Sequence, residues 1–183
     1  KEENVNQEYV TEIEKDVDRL KTITERFSKI GSVPKLEKTD LVAETQASFD
    51  YLKRRSSKLI EFDLITPNET VPVMLNPQLF GWTIENLVKN GIDAMKGKGT
   101  IVISIEKNSK KAYVRITDTG KGISKRNYRR VFVPGYTTKK RGWGLGLSLA
   151  KRIIETYHNG KIHVLNSTAG KGTTMEIVLR LEN

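Results

Sequence analysis

The chain has 183 residues, 32 Lys and Arg against 22 Asp and Glu, and no cysteine. That length suits one domain of ordinary size with an appendage, and the missing cysteines exclude disulfides and thiolate metal sites. A net charge of +10 points to a polyanionic partner, while no apolar run approaches the roughly 18–20 residues that a membrane-spanning helix needs.

Residues 8–30 read as a helix. Val10, Ile13, Val17, Leu20, Thr24 and Phe27 alternate at spacings of three and four, a heptad seam flanked by charges. A lone helix of this length is marginal in water, so it needs a partner helix. Gly31 and Pro34 end it. Thr39-Asp40 caps a second helix over 41–57, with Leu41, Val42, Thr45, Phe49 and Leu52 inward. Two short strands, "KLIEFDLI" and "VPVML", follow on either side of Pro67-Asn68. Pro77 opens a long helix over 77–96, which Gly97-Lys98-Gly99 stops. "TIVISIEK" and "AYVRITD" alternate as a hairpin around Asn108–Lys111. Residues 119–143 lack periodicity and are rich in Gly, Lys and Arg, the mark of a functional or mobile loop. A glycine-led helix runs to about 157, and "KIHVLNS" with "TTMEIVLRL" closes the chain as a second hairpin. No signal-peptide pattern starts the chain. Its first residue is Lys rather than Met, so it reads as a cytoplasmic fragment, with any membrane anchor lying outside it. The domains expected are residues 1–35, a coiled-coil helix, and 36–183, an α/β domain with a mixed sheet and helices on one face.

Twelve basic residues and a single acid, Asp118, fall between Lys107 and Arg141. A nucleic-acid binder, a small-polyphosphate site and a plain solvated face all fit that clustering. The interleaved glycines must decide among them, and G-x-G-x-G alone also occurs in plain flexible loops. Gly142, Gly144 and Gly146 precede a helix start, where unpaired N–H groups and the positive end of the macrodipole accept an anion at close range. A P-loop is excluded, because "GKGT" at 170–173 lacks the earlier glycine and leads into a strand. Asn86 and Asn90 share one helix face with Asp93, and amide oxygens are acceptable ligands for Mg²⁺; a solvated helix exterior is the alternative. Asp118, in "DTGKG", offers an acceptor to the amino group of adenine where the oxo group of guanine would be repelled, or else ends an ordinary turn.

Taken in this order, the segments resemble the nucleotide-binding boxes of the GHKL superfamily: "ENLVKNGIDAM", "DTGKGI", "VFVPGYTTK", "GWGLGLSLA" and "GKGTTMEI" look like its N, G1, F, G2 and G3 boxes. Together they resemble the catalytic ATP-binding domain of a sensor histidine kinase, and the heptad helix is similar to the second helix of that family's dimerisation hairpin. The resemblance implies an α+β fold, a two-layer sandwich of the Bergerat type with three helices on one face of a mixed sheet. It implies ATP and Mg²⁺ as cofactors, with Asn90, helped by Asn86, holding the metal and Asp93 beside them. Asp118 would read adenine; Gly120, Gly122 and Ile123 would line the base pocket, with Thr173 near Asp118. Tyr136, Thr137, Thr138, Lys139 and Arg141 would form a mobile lid. Gly142, Gly144, Leu145, Gly146 and Leu147 would meet the phosphates. The implied partners are a response-regulator receiver domain and a second copy of the chain through the hairpin helix, with no nucleic acid.

Three residues depart from the pattern: Gly91 where Ala is usual, Gly135 where many relatives carry an aromatic, and a bulky Trp143. Superfamily hydrolases place a Glu four residues before the metal-binding Asn, as base for the attacking water. Here that position is Asn86, an amide that takes no proton at neutral pH, and Glu85 points about 100° away around the helix. Phosphoryl transfer to an upstream histidine, absent from these residues, is therefore expected over hydrolysis. His158 and His163 are expected to be structural. A GHKL hydrolase and a catalytically inactive docking module stay open as alternatives.

Overall fold

Apolar alternation sets the centre of the sheet. Ile101, Ile103 and Ile105 of β4 (Gly99–Lys107) stand in register with Asp118, Ile116 and Val114 of β5 (Lys111–Asp118), so all six turn to the same face. The computed structural model describes residues 34–139 and 142–182, together with Tyr9, Val10, Glu14 and Val17.

The chain divides into two compact units, 1–34 and 35–183. In the first, the four described residues are helical and exposed; the rest of the expected heptad seam lies outside the described residues. In the second, β1 (Glu37–Asp40) and β3 (Pro72–Leu75) pair antiparallel as a separate two-stranded sheet. β1 has no sequence signal of its own, since "EKTD" contains no apolar residue. The main sheet has the order β2-β4-β5-β7-β6, with β2 (Ile60–Ile65) parallel to β4 and the other neighbours antiparallel. β6 (Lys161–Thr168) and β7 (Gly172–Arg180) form the last hairpin.

Three helices cover the inner face. α1 (Leu41–Arg55) packs on β2 and α2 (Pro77–Ala94), and α2 lies across β4, β5 and β7. α1 starts at Asp40, whose carboxylate accepts the Val42 and Val71 N–H groups at 3.1 and 2.9 Å. It ends two residues before the expected boundary, where Ser56 leaves helical geometry. α2 begins with Pro77 behind the Asn76 cap and also ends two residues early, since Lys96 and Gly97 have positive φ. α3 is regular over Gly146–Arg152 and continues as a π-turn over Ile153–Tyr157. Ile153 and Ile154, which open that turn, are both fully buried. The long loop between β5 and α3 contains two single 3₁₀ turns, Lys125–Asn127 and Arg130–Phe132. Among the described residues no helix is long and apolar enough to cross a membrane.

Candidate functional site

α2 presents its polar stripe to the start of α3. A Cβ on Gly146 would sit 3.3 Å from Asn86 Oδ1 and 4.0 Å from Asn90 Nδ2, so the glycine lets the two helices approach. No side chain caps α3, which leaves its first-turn N–H groups without a helical acceptor. On α2, Asn86 Nδ2 is buried and makes no hydrogen bond among the described residues. The first-turn N–H groups of α3 thus stand next to the amide pair of α2, where an anion can accept them. Gly144 holds the preceding turn at φ +66; a Cβ there would come within 2.5 Å of the Gly135 carbonyl carbon. Gly135, at φ +81, donates its N–H to Gly144 O at 3.1 Å. An aromatic at position 135 would be strained there, which accounts for that departure.

Lys139 sits on the α2 stripe. Lys139 Nζ donates to Asn90 Oδ1 at 2.9 Å and contacts Asp93 Oδ2 at 2.5 Å. Asn90 and Asp93 therefore already act together as a cation-accepting pair, with an ammonium as the cation. Among the described residues no group of three or more His, Cys, Asp or Glu could hold a metal. A Mg²⁺ here would depend on the amide oxygens, with water and ligand phosphates completing its shell. The other residues expected in a lid are tied locally. Thr137 Oγ1 accepts the Lys139 N–H, Thr138 Oγ1 accepts from Lys121 Nζ, and the Arg130 guanidinium lies over the Tyr136 ring. Trp143 is half exposed. Arg141 lies outside the described residues.

Asp118 forms a buried floor at the other end of the site, 7% exposed. Its Oδ1 accepts the Gly120 N–H at 2.8 Å. Burial pushes the carboxyl above the usual carboxylate range, and the Gly120 and Thr173 main-chain amides pull it part of the way back. Close approach explains the glycines around it. A Cβ on Gly172 would lie 1.8 Å from Asp118 O, and one on Gly120 2.8 Å from Asp118 Oδ1. Gly91 belongs to the same set, since a Cβ there would meet Ile101 Cδ1 at 2.9 Å and Asp118 Cβ at 3.0 Å. Its helix-weakening cost is offset by tight packing of α2 on Asp118, a role that sequence alone did not reveal.

A row of polar side chains continues across the sheet from Asp118. Thr173 is its register partner on β7, and Ser167 is the partner of Thr173 on β6. Strict alternation after Ile162 and Val164 would place Asn166 inward; an irregularity between Val164 and Asn166 turns Ser167 there instead. Ser167 Oγ accepts the Ile123 N–H at 2.7 Å, tying the 119–123 turn to the sheet. Gly122, at φ +75, passes so close to β6 that a Cβ would lie 2.4 Å from Thr168 O.

Neither histidine is offered to this site. His158 Nε2 accepts the Asn76 N–H at 3.0 Å, so Nδ1 carries the proton and donates to Ile153 O at 2.9 Å. Burial holds this imidazole below its usual pKa. His163 stands on the opposite face of the sheet, 3.5 Å from Glu176 Oε1. Glu85 is paired with Lys89 one turn along α2.

Residues 76–183 match the family described as histidine kinase-, DNA gyrase B-, and HSP90-like ATPase. Sporulation kinase D of Bacillus subtilis (strain 168) is 30% identical over 180 residues, which is 95% of this chain and 35% of that protein. Sensor histidine kinase ZraS of Escherichia coli (strain K12) is 29% identical over 174 residues, 90% of this chain and 36% of that one. The chain thus spans about a third of the length of these curated relatives. The nucleotide-free catalytic domain of histidine kinase ThkA superposes with a TM-score of 0.72 at 28% identity, covering 80% of this chain and 96% of that one. ThkA in complex with the response regulator TrrA gives 0.77 at 26% identity, covering 95% and 51%.

Proposed function

The chain belongs to the family of histidine kinase-, DNA gyrase B- and HSP90-like ATPases, and we propose that within it residues 36–183 are the ATP-binding catalytic domain of a two-component sensor histidine kinase. One observation carries the reading: α3 starts without a side-chain cap and packs through Gly146 against Asn86 and Asn90, so its first-turn N–H groups stand beside the amide pair, where a polyphosphate can accept them. Asp118 takes the amino group of adenine, and Gly120, Gly122, Ile123 and Thr173 frame the base. Gly142, Gly144, Leu145, Gly146 and Leu147 receive the phosphates, and Tyr136, Thr137, Thr138, Lys139 and Arg141 close over them.

The oxygens that hold the Lys139 ammonium fit a metal. Asn90, with Asn86 beside it, would hold Mg²⁺, which when bound neutralises phosphate charge. The lysine must then leave Asn90, which frees it for the polyphosphate.

The position four residues before Asn90 favours transfer over hydrolysis. Asn86 is an amide and cannot take a proton from water, and Glu85 is held by Lys89. An imidazole supplied by another helix attacks the γ-phosphorus; the bond from that phosphorus to the β–γ bridging oxygen breaks, and ADP leaves. His158 and His163 are not that nucleophile. By analogy with the ThkA–TrrA complex, a receiver domain is the onward partner, and residues 8–30 pair with a second copy. The domain works in the cytoplasm.

Calorimetric titration with ATP, with and without Mg²⁺, tests the reading. Mg²⁺-dependent binding is expected, with no label on His158 or His163 from γ-labelled ATP and little hydrolysis. Steady turnover lost in Glu85→Ala would mark a hydrolase. Salt-sensitive nucleic-acid binding indifferent to ATP would mark a docking module.

A further inference from the structure

The hydrogen-bond directions around Ser167 can be assigned by counting protons. A hydroxyl has one proton to give and two lone pairs to receive. Ser167 Oγ has three neighbours: Gly172 O at 2.8 Å, the Ile123 N–H at 2.7 Å, and Thr173 Oγ1 at 3.0 Å. The carbonyl only accepts and the amide only donates. Ser167 therefore gives its proton to Gly172 O and accepts from Ile123. One assignment satisfies all three contacts, and in it Thr173 donates its hydroxyl proton to Ser167. With that proton committed, Thr173 Oγ1 has only lone pairs left to present. Thr173 is 5% exposed and stands in register with Asp118, itself an acceptor when ionised.

We propose that Ser167 fixes Thr173 as a hydrogen-bond acceptor, so that the base pocket offers two acceptors side by side and admits a 6-aminopurine while rejecting a 6-oxopurine. Ser167 is a positioning residue in this scheme; it acts on the base through Thr173. The inference rests on the reading that the base lies against Asp118. It adds a second determinant of selectivity, one supplied from β6 by a strand irregularity.

Affinities for ATP and ITP test it: the two acceptors face the substituent at position 6, which is amino in ATP and oxo in ITP. An ITP preference would place Thr173 against N1, which carries a proton only in ITP, and would overturn the inference. The ratio of the two dissociation constants is the readout, because a general loss of fold or affinity lowers both together. Ser167→Ala frees the Thr173 proton to turn toward an oxo group, and the preference for ATP should fall about five- to tenfold, the value of one redirected hydrogen bond. Thr173→Val removes the acceptor and should narrow the ratio similarly. Ser167→Thr keeps the hydroxyl and should keep the wild-type ratio. A ratio within twofold of wild type in Ser167→Ala, or in Thr173→Val should the first variant not fold, overturns the inference. Asp118→Asn separates the two levels. If it leaves ATP affinity intact, the base-site reading itself has failed; if it weakens ATP while Ser167→Ala keeps the ratio, only the role of Ser167 has.

Discussion

Replacing Asp118 with Asn changes one atom and should move affinity and stability in opposite directions. In the carboxylate, Oδ1 is held by the Gly120 N–H at 2.8 Å, the Thr173 main-chain amide also supports the charge, and the lone pairs left over can receive an incoming amino group. An amide has one oxygen. Kept by Gly120, that oxygen leaves the Nδ2 donors facing the adenine amine, donor against donor. The lost bond to a charged acceptor is worth about 1.5–3 kcal/mol, so ATP should bind about 10- to 150-fold more weakly. The new donors suit an oxo group, so the preference for ATP over ITP should shrink or reverse. Without nucleotide the effect runs the other way. Burial raises the Asp118 pKa, so its charged form destabilises the fold, an effect absent below the unfolded pKa and incurred as pH rises through the folded one. At neutral pH the neutral amide should therefore raise Tm. Calorimetry with both nucleotides, beside thermal unfolding of the nucleotide-free protein, reads all three quantities. ATP affinity within twofold of wild type, or lost affinity accompanied by a lower Tm, would refute this reasoning.

Lys139→Met should leave Asn90 and Asp93 open, so that ATP binding saturates at lower Mg²⁺ concentration in calorimetry; an unaltered Mg²⁺ dependence would separate the lysine from the metal. Gly172→Ala should cost more than about 3 kcal/mol and abolish nucleotide binding, since its Cβ falls 1.8 Å from Asp118 O. Gly170→Ala, at φ +73 in open space, should cost only about 1 kcal/mol from backbone strain; urea unfolding compares the two. His158 has a lowered pKa, so the unfolded chain binds its proton more readily. Its stabilising contribution is full above the ordinary imidazole pKa of about 6.5 and is lost as pH falls through and below it. Unfolding free energies of wild type and His158→Gln, measured on both sides of that value, should show the steeper acid loss in wild type.

Much of the architecture was legible because apolar periodicity is local. The alternation in 100–107 and 112–118, Pro77 behind Asn76 and the Asp40 cap mark elements that the structure places within a few residues of expectation. β1 was not legible, because its four polar or charged residues form a strand only by pairing with β3. The site residues were readable by type, through glycines and amides at telling spacings, but their contacts were not. Gly91 reads as a helix defect until Asp118 is seen packed against it. Ser167 reads as an outward residue until the strand irregularity reverses the alternation. Lys139 reads as a lid residue, and only the folded chain brings it to Asn90 and Asp93.

The central claim is that a purine triphosphate lies with its base on Asp118 and its phosphates at residues 142–147. A crystal structure with Mg²⁺ and a nonhydrolysable ATP analogue addresses it most directly. The account predicts the adenine amine within hydrogen-bond distance of Asp118, the metal on Asn90, and Lys139 withdrawn from it. Analogue density elsewhere on the protein, or a base turned away from Asp118, would contradict it.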